Sequence, residues 1–428
     1  MRINRFFSCG TMGICLIAQL SAQESKTLQT KPLKFIYNVK PEEVGMSSER
    51  LKRIDTFMTN YVRDGYAPNI VTFVARHGRV VHEKAYGWKN IENKVPVKVD
   101  DIFRIASQSK AIVTVALMTL FEEGKFQLDD PIAMYIPEFK NIQVLDSVSK
   151  RDTSYVAHPA KKVMTIRHLL THTSGITYQS LIYEKSRMPY FNSIDPITIK
   201  DVVKKITSLP LKHEPGDAFT YGMSTDVIGY LIEVLSGKPL DKFLKERVLD
   251  PLGMKDTYFY LPQDKTGRLV TLYSKDKVDS KLVLHRNVAY QTYPVAGART
   301  YFSGGAGLCG TIEDYARLCE MFLNGGSFNG KQILGRKTIE IMTTNQIGNL
   351  DINQYGDKFG LGFQLFSPGE VKLLPGSVGA FKWGGMYATD YIIDPVEDMV
   401  MLIYTNVQPF ANTGLHGKFR TLVYQSLQ

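Results

Sequence analysis

The chain has 428 residues, 44% hydrophobic and 22% charged, which is enough to bury a large core as one big domain or two lobes. Its 52 Lys and Arg against 42 Asp and Glu give a formal charge of +10. The basic residues are scattered and no basic stretch is interleaved with aromatics, so the composition argues for a solvated basic surface and against nucleic-acid binding.

The first element in chain order is a leader. Arg2 and Arg5 precede an apolar stretch from Met12 to Leu20, and the small residues of Leu20-Ser21-Ala22 stand before Gln23, so residues 1–22 read as a signal peptide. The apolar stretch is far short of the ~20 residues that a bilayer-spanning helix needs. Neither Cys9 nor Cys15 has the setting of a lipoprotein cleavage site. Cleavage lowers the formal charge from +10 to +8, because the leader holds Arg2 and Arg5 and no acid. No other segment is long and apolar enough to span, so the expected product is exported, to the periplasm or the medium, with no membrane span in the mature chain. A polar leader, 23–33, separates the signal from one large domain, 34–428.

Within that domain, Ser47 to Val62 places Leu51, Ile54, Phe57, Met58 and Tyr61 at helical spacing. Ile70 to Ala75 and Val80 to Tyr86 flank His77-Gly78-Arg79 and predict a β-hairpin. Ser107 to Glu123 is apolar nearly all round and stops at Gly124, so it predicts a helix buried on every side. Asp226 to Leu235 predicts a second helix, ending at Ser236-Gly237, and Thr311 with Asp314 resembles a capping box opening Ile312 to Leu323. On that helix Cys319 lies eight residues beyond the cap, about 12 Å at ~1.5 Å per residue, so Cys309 and Cys319 are too far apart to bridge and are expected as buried free thiols. Tyr387 to Ile393 and Met399 to Tyr404 predict two further strands. Strands at both ends with helices between them predict an α+β fold: an antiparallel sheet built from both termini (about 34–105 and 300–428) and flanked by helices, with an inserted, mostly helical lobe (about 106–299).

The first chemical constellation is Ser107-Gln108-Ser109-Lys110, at the head of the buried helix. Residues three apart share a helix face, so the Lys110 amine can approach the Ser107 hydroxyl. A serine hydroxyl is a weak nucleophile until a base takes its proton, and burial favours the neutral form of an amine, the form able to act as one. The helix N-terminus adds backbone donors and positive potential where an oxyanion forms.

Six segments in order extend this beginning: Phe103-Arg104-Ile105-Ala106-Ser107-Gln108-Ser109-Lys110; Thr165 through Gly175, containing His168-Leu169-Leu170-Thr171-His172-Thr173-Ser174-Gly175; Pro215-Gly216 leading to Tyr221; Asp250-Pro251-Leu252-Gly253-Met254; Gly304-Gly305-Ala306-Gly307-Leu308; and Trp383-Gly384-Gly385. With them the chain resembles the serine β-lactamase and penicillin-recognising superfamily, specifically the class C-like branch that includes family VIII carboxylesterases and D-stereospecific peptidases. The resemblance implies a β-lactamase/transpeptidase-like fold, an acyl-enzyme on Ser107, and Tyr221 as the partner that shares the proton with Lys110. Pro215-Gly216 makes a turn before Tyr221, where an inward-pointing side chain can be presented.

The departures from the lactamase pattern concern the substrate. Where the family's lactamases carry an asparagine two residues after the tyrosine, this chain has Met223, which cannot hydrogen-bond a side-chain amide. The triplet expected as Lys-Thr-Gly is matched literally by Lys265-Thr266-Gly267, but in a polar stretch with no strand leading into it. Trp383-Gly384-Gly385 is the better match, resembling the Trp-x-Gly form of the esterase branch. Its glycines allow a substrate to lie against the backbone, and the N–H near Met386 is expected to join that of Ser107 as an oxyanion hole. Loss of the lysine and the asparagine together argues for a neutral ester or amide as the small-molecule substrate. His168 and His172 lack the glutamate of a zinc-protease helix, and no Lys-Ser/Thr pair follows the Gly304–Gly307 segment, so neither is read as a metal or phosphate site. The mechanism needs no metal or organic cofactor. A cell-wall D-amino-acid peptidase, a weak class C-like β-lactamase and a non-catalytic penicillin-binding-like sensor are the competing expectations.

Overall fold

Alternation of side chains across a sheet explains the architecture of this computed structural model, which describes residues 34–178, 180–411 and 414–428. The predicted leader and cleavage site lie outside the described residues. The main sheet has eight strands: β1 (Asn69–Arg76), β2 (Arg79–Asn90), β3 (Val95–Pro96), β4 (Lys358–Phe359), β5 (Gln364–Leu365), β6 (Phe381–Gly385), β7 (Thr389–Asp394) and β8 (Met399–Tyr404). Their spatial order is β4-β5-β6-β7-β8-β1-β2-β3, and every neighbouring pair is antiparallel. The centre is the pairing of β1 with β8, Val71 opposite Tyr404 and Ala75 opposite Val400, so strands from the two ends of the chain meet there.

Odd and even positions on these strands serve two cores. Ile70, Val74, Ile392, Met401 and Ile403 face one side, where they pack with Leu51, Ile54 and Met58 of α1 (Ser48–Arg63) and with Phe419 and Val423 of the C-terminal helix Leu415–Tyr424. Val71, Phe73, Tyr391, Leu402 and Tyr404 face the other side, in one cluster with α2 (Ser109–Glu122), α3 (Ser224–Ser236) and α4 (Ile312–Leu323). Every residue of α2 from Ser109 to Leu120 is buried, which is why its sequence is apolar all round. Between β3 and β4 the described chain holds more helix than strand, and the main sheet resumes only at Lys358. No described helix is long and apolar enough to cross a membrane.

Local details depart from the sequence reading for identifiable reasons. The helix expected from Ser107 begins as a tight 3-10 turn, Ala106–Gln108, and becomes α-helical at Ser109. The strand expected from Tyr387 starts at Thr389, because Ala388 turns the chain with φ +65°. Trp383-Gly384-Gly385 leads into that strand as the end of β6, with the turn at residues 386–388 between the two. Thr311 caps α4 as expected, through Asp314 N–H (3.2 Å), but the Asp314 carboxylate turns away to accept from Asp256 N–H (2.7 Å) and the Thr257 hydroxyl (2.9 Å). Cys309 and Cys319 are free and buried.

Candidate active site

Ser107 sits on the 3-10 turn that feeds α2, and its neighbours fix that turn from three sides. Gln108 is clamped by Tyr315, whose hydroxyl donates to its carbonyl (3.0 Å), and by Tyr404, whose hydroxyl donates to its Oε1 (2.6 Å). Ser109 Oγ accepts from Leu308 N–H (3.0 Å), and Ile105 N–H donates to Leu308 O (3.1 Å). Ala106, fully buried, takes the left-handed backbone region with φ +43°. A non-glycine residue there is strained, and such strain clusters at functional sites.

The Lys110 side chain, 2% exposed, reaches three oxygens: Ser107 Oγ at 3.2 Å, the Tyr178 hydroxyl at 3.1 Å and Gly305 O at 2.7 Å. Three acceptors match the three N–H bonds of an ammonium. A lysine that takes the serine proton needs a free lone pair, so one of these bonds must be given up or reversed before attack.

Tyr221 enters the same cleft but meets Lys110 differently. The amine lies over its ring, 4.7 Å from the centroid, while its hydroxyl accepts from Trp383 Nε1–H at 3.2 Å. The ring is packed between Tyr178, Trp383 and His172, with centroids 5.4, 5.1 and 4.7 Å away. Burial pushes the Tyr178 phenol well above its usual range, with Tyr221 and Asp226 adding to the effect, and burial followed by the charge of Lys110 holds the His172 imidazole well below its own.

Behind Lys110 lies a buried carboxylate. Asp226, 2% exposed and in the first turn of α3, accepts from the Tyr301 hydroxyl (2.9 Å) and Ser303 Oγ (2.7 Å), and also from the Gly305 backbone. Burial raises its pKa, opposed by the Ser303 hydrogen bond and by the charge of Lys110. Gly305 therefore links the two charges, its backbone engaging Asp226 and its carbonyl engaging Lys110. A Cβ on Gly305 would lie 2.5 Å from Asp226 Oδ2 and 3.0 Å from the Tyr178 hydroxyl, so glycine is required by close approach.

Ser107, Tyr221 and Met386 border two cavities, and Trp383, Gly384 and Gly385 line one of them. Gly385 rests on the turn before the serine, where a Cβ would meet Ile105 O at 2.4 Å. Met223, expected to face a substrate, does not. It is 1% exposed, packs in the main core as the residue before α3, and lines neither cavity. Lys265 is in an ion pair with Asp256 (3.0 Å) and lines neither cavity. The two histidines brace backbone: Thr165 N–H donates to His168 Nδ1 (3.2 Å) and Gly222 N–H to His172 Nδ1 (3.4 Å).

Two site residues escaped the sequence reading. Tyr178 carried no signal, because only the folded course of the chain after Gly175 aims it at Lys110. Asp226 carried one: a carboxylate beside Val227, Ile228, Leu231 and Ile232, at the head of a helix too apolar to be a surface element.

A family model described as Beta-lactamase matches residues 54–424. Among curated proteins, esterase EstB from Burkholderia gladioli is 27% identical over 381 residues, covering 85% of this chain and 92% of EstB. A putative D-alanyl-D-alanine carboxypeptidase from Escherichia coli K12 is 26% identical over 393 residues, 86% of this chain and 84% of that protein. Among solved structures, EstCE1, described as a hydrolase with promiscuous acyltransferase activity, aligns with a TM-score of 0.75 and 26% identity, covering 88% of this chain and 99% of its own.

Proposed function

We propose, for a chain that belongs to the β-lactamase family and is a serine hydrolase, that it cleaves a neutral ester or amide through an acyl-enzyme on Ser107. The observation that carries the proposal is the hydrogen bond between the buried Lys110 amine and Ser107 Oγ, at the mouth of a cleft that Tyr221 also lines. In acylation, Ser107 Oγ attacks the carbonyl carbon and its proton passes through Lys110 and Tyr221 to the departing oxygen or nitrogen. In deacylation, a water gives a proton to the same pair and attacks the ester on Ser107. The N–H groups of Ser107 and Met386 receive the oxyanion.

Charge supports a neutral substrate. Lys382, the cation beside Trp383, is paired with Asp390 at 2.9 Å, which leaves its charge neutralised. Met223 is withdrawn into the core, so the position that would read an acylamino group offers nothing to it.

A peptidase acting on D-alanyl substrates is the second reading, favoured by the similarity to the E. coli carboxypeptidase. A panel of nitrophenyl esters, D-alanyl peptides and a chromogenic cephalosporin, run on the wild type and on Ser107→Ala, separates the two. Ester turnover lost in the variant supports the proposal. Turnover confined to peptides or the cephalosporin replaces it, and absence of fluorophosphonate labelling of the wild type makes the protein a binding homologue.

Export belongs to the same proposal, carried by the basic and apolar composition of residues 1–22. A mature protein starting at Gln23 supports it, and an uncleaved N-terminus in the cytoplasm overturns it.

A further inference from the structure

Ser107 stands at a waist between two cavities of different chemistry. On one side is a chamber of about 570 Å³ whose walls carry Tyr178, Tyr190, Phe191, Phe219, Tyr221 and Tyr290. Its remaining wall residues include Thr177, Thr220 and Ala306, each 7% exposed or less, so the chamber is cut into the body of the protein. Its rings are mutually braced, Phe191 edge-on to Tyr290 at 5.9 Å and Tyr178 tilted against Tyr221 at 5.4 Å, which fixes the orientation of the aromatic walls. Lys212, exposed at its edge, is the one charged residue on its lining among the described residues.

On the other side is a shallower groove of about 410 Å³, bordered by Gln364, Lys382, Thr389, Asp390 and His416 as well as Trp383. It carries the Lys382–Asp390 ion pair and a buried hydroxyl, Thr389 Oγ1, that has no hydrogen-bond partner among the described residues. Gln364, Lys382, Asp390 and His416 make the border of this groove polar, suited to a polar ligand group. Met386, 38% exposed, stands where groove and chamber meet.

Resting on Ser107 as the nucleophile, we infer that the substrate is an ester of an aryl-substituted carboxylic acid with a polar, hydroxylated alcohol. The aryl-acyl half occupies the chamber and the alcohol half occupies the groove. The assignment of halves follows from the order of bond changes. Acylation forms the Ser107 Oγ–carbonyl bond and breaks the carbonyl–alkoxy bond, and the alcohol leaves carrying the serine's proton. Water must then take the alcohol's place, break the acyl–serine bond and return a proton to Oγ. The half that leaves and is replaced by water belongs in the open, polar groove. The half that stays on the serine belongs in the enclosed, aromatic chamber, where stacking and burial retain it.

Two ester pairs test this on the full-length wild type. With glycerol as the common alcohol, 3-phenylpropanoyl and acetyl esters are compared; then 3-phenylpropanoyl methyl ester is compared with its reverse, 3-phenylpropyl acetate. The expected result is a kcat/KM for the aryl-acyl member higher by about tenfold or more in both pairs, with the ratio reduced in Tyr290→Ala, or in Tyr190→Leu should the first variant fold poorly. Ser107-dependent hydrolysis with ratios near one, or favouring phenylpropyl acetate, overturns the assignment of chambers while the serine-hydrolase reading stands. No Ser107-dependent hydrolysis of any of the four esters overturns both.

Discussion

The Lys110 amine is closer to the carbonyl oxygen of Gly305, at 2.7 Å, than to either hydroxyl it also holds. The lysine is positioned by a backbone atom of the glycine loop, and Asp226 holds that loop in turn. Gly305→Ala is therefore expected to displace the amine, because the added Cβ collides with the Asp226 carboxylate and crowds Tyr178. An ångström of misplacement is enough to lower kcat by about a hundredfold. Steady-state kinetics together with a thermal melt check it: an unchanged kcat in a folded variant sinks the idea that Gly305 positions Lys110.

The two tyrosines at the site are separable. Tyr221→Phe removes the proposed proton relay and is expected to lower kcat by about 10²- to 10⁴-fold, whereas Tyr178→Phe removes one hydrogen bond to Lys110 and is expected to cost about tenfold or less. The measurement is kcat on a nitrophenyl ester alongside the rate of fluorophosphonate labelling. A larger loss in Tyr178→Phe than in Tyr221→Phe transfers the relay to Tyr178.

Trp383 donates its indole N–H to the Tyr221 hydroxyl and packs against its ring. Trp383→Phe keeps an aromatic ring and deletes the donor. Loss of a net hydrogen bond of about 1 kcal/mol predicts a kcat lower by about fivefold with little change in KM. A KM effect without a kcat effect shows instead that Trp383 acts by contacting the substrate.

Stability should fall on acidification because of His82. Its ring is buried on β2 beside Thr72, 2.8 Å from the Thr72 hydroxyl, and burial lowers its pKa to about 4 from 6.5, with Lys84 acting in the same direction and Asp55 against it. The unfolded chain takes up a proton near pH 6.5 and the folded one only near 4, so within that window the unfolded state binds more protons and stability drops as pH falls, by at most about 1.4 kcal/mol per pH unit. Urea midpoints at pH 4.5 and 7.5 are expected to differ less in His82→Gln than in the wild type. Equal differences in the two proteins remove His82 as the cause.

Much of this molecule is legible from residue patterns because its elements are locally consistent. The hairpin turn at His77-Gly78, the cap at Thr311 and the all-apolar run of α2 each dictate their own conformation, and the pairing of N- and C-terminal strands follows from where the β-rich runs lie. The site was less legible because its parts come from contacts distant in sequence. Spacing of three brings Lys110 to Ser107, but nothing local says that Tyr178 and the Gly305 carbonyl complete its hydrogen bonds. Met223 stands only two residues from Tyr221 in the sequence, yet the start of α3 rotates it into the core.

The left-handed backbone at Ala106 bears on attempts to make this protein hardier. Ala106→Gly relieves the torsional penalty and is an obvious stabilising exchange at first sight. Yet the same twist delivers the neighbouring hydroxyl to the lysine, so a looser hinge trades reactivity for robustness. Directed improvement of heat tolerance therefore belongs on the opposite face of the sheet, around α1 and the C-terminal helix, where backbone comfort and turnover are not in competition.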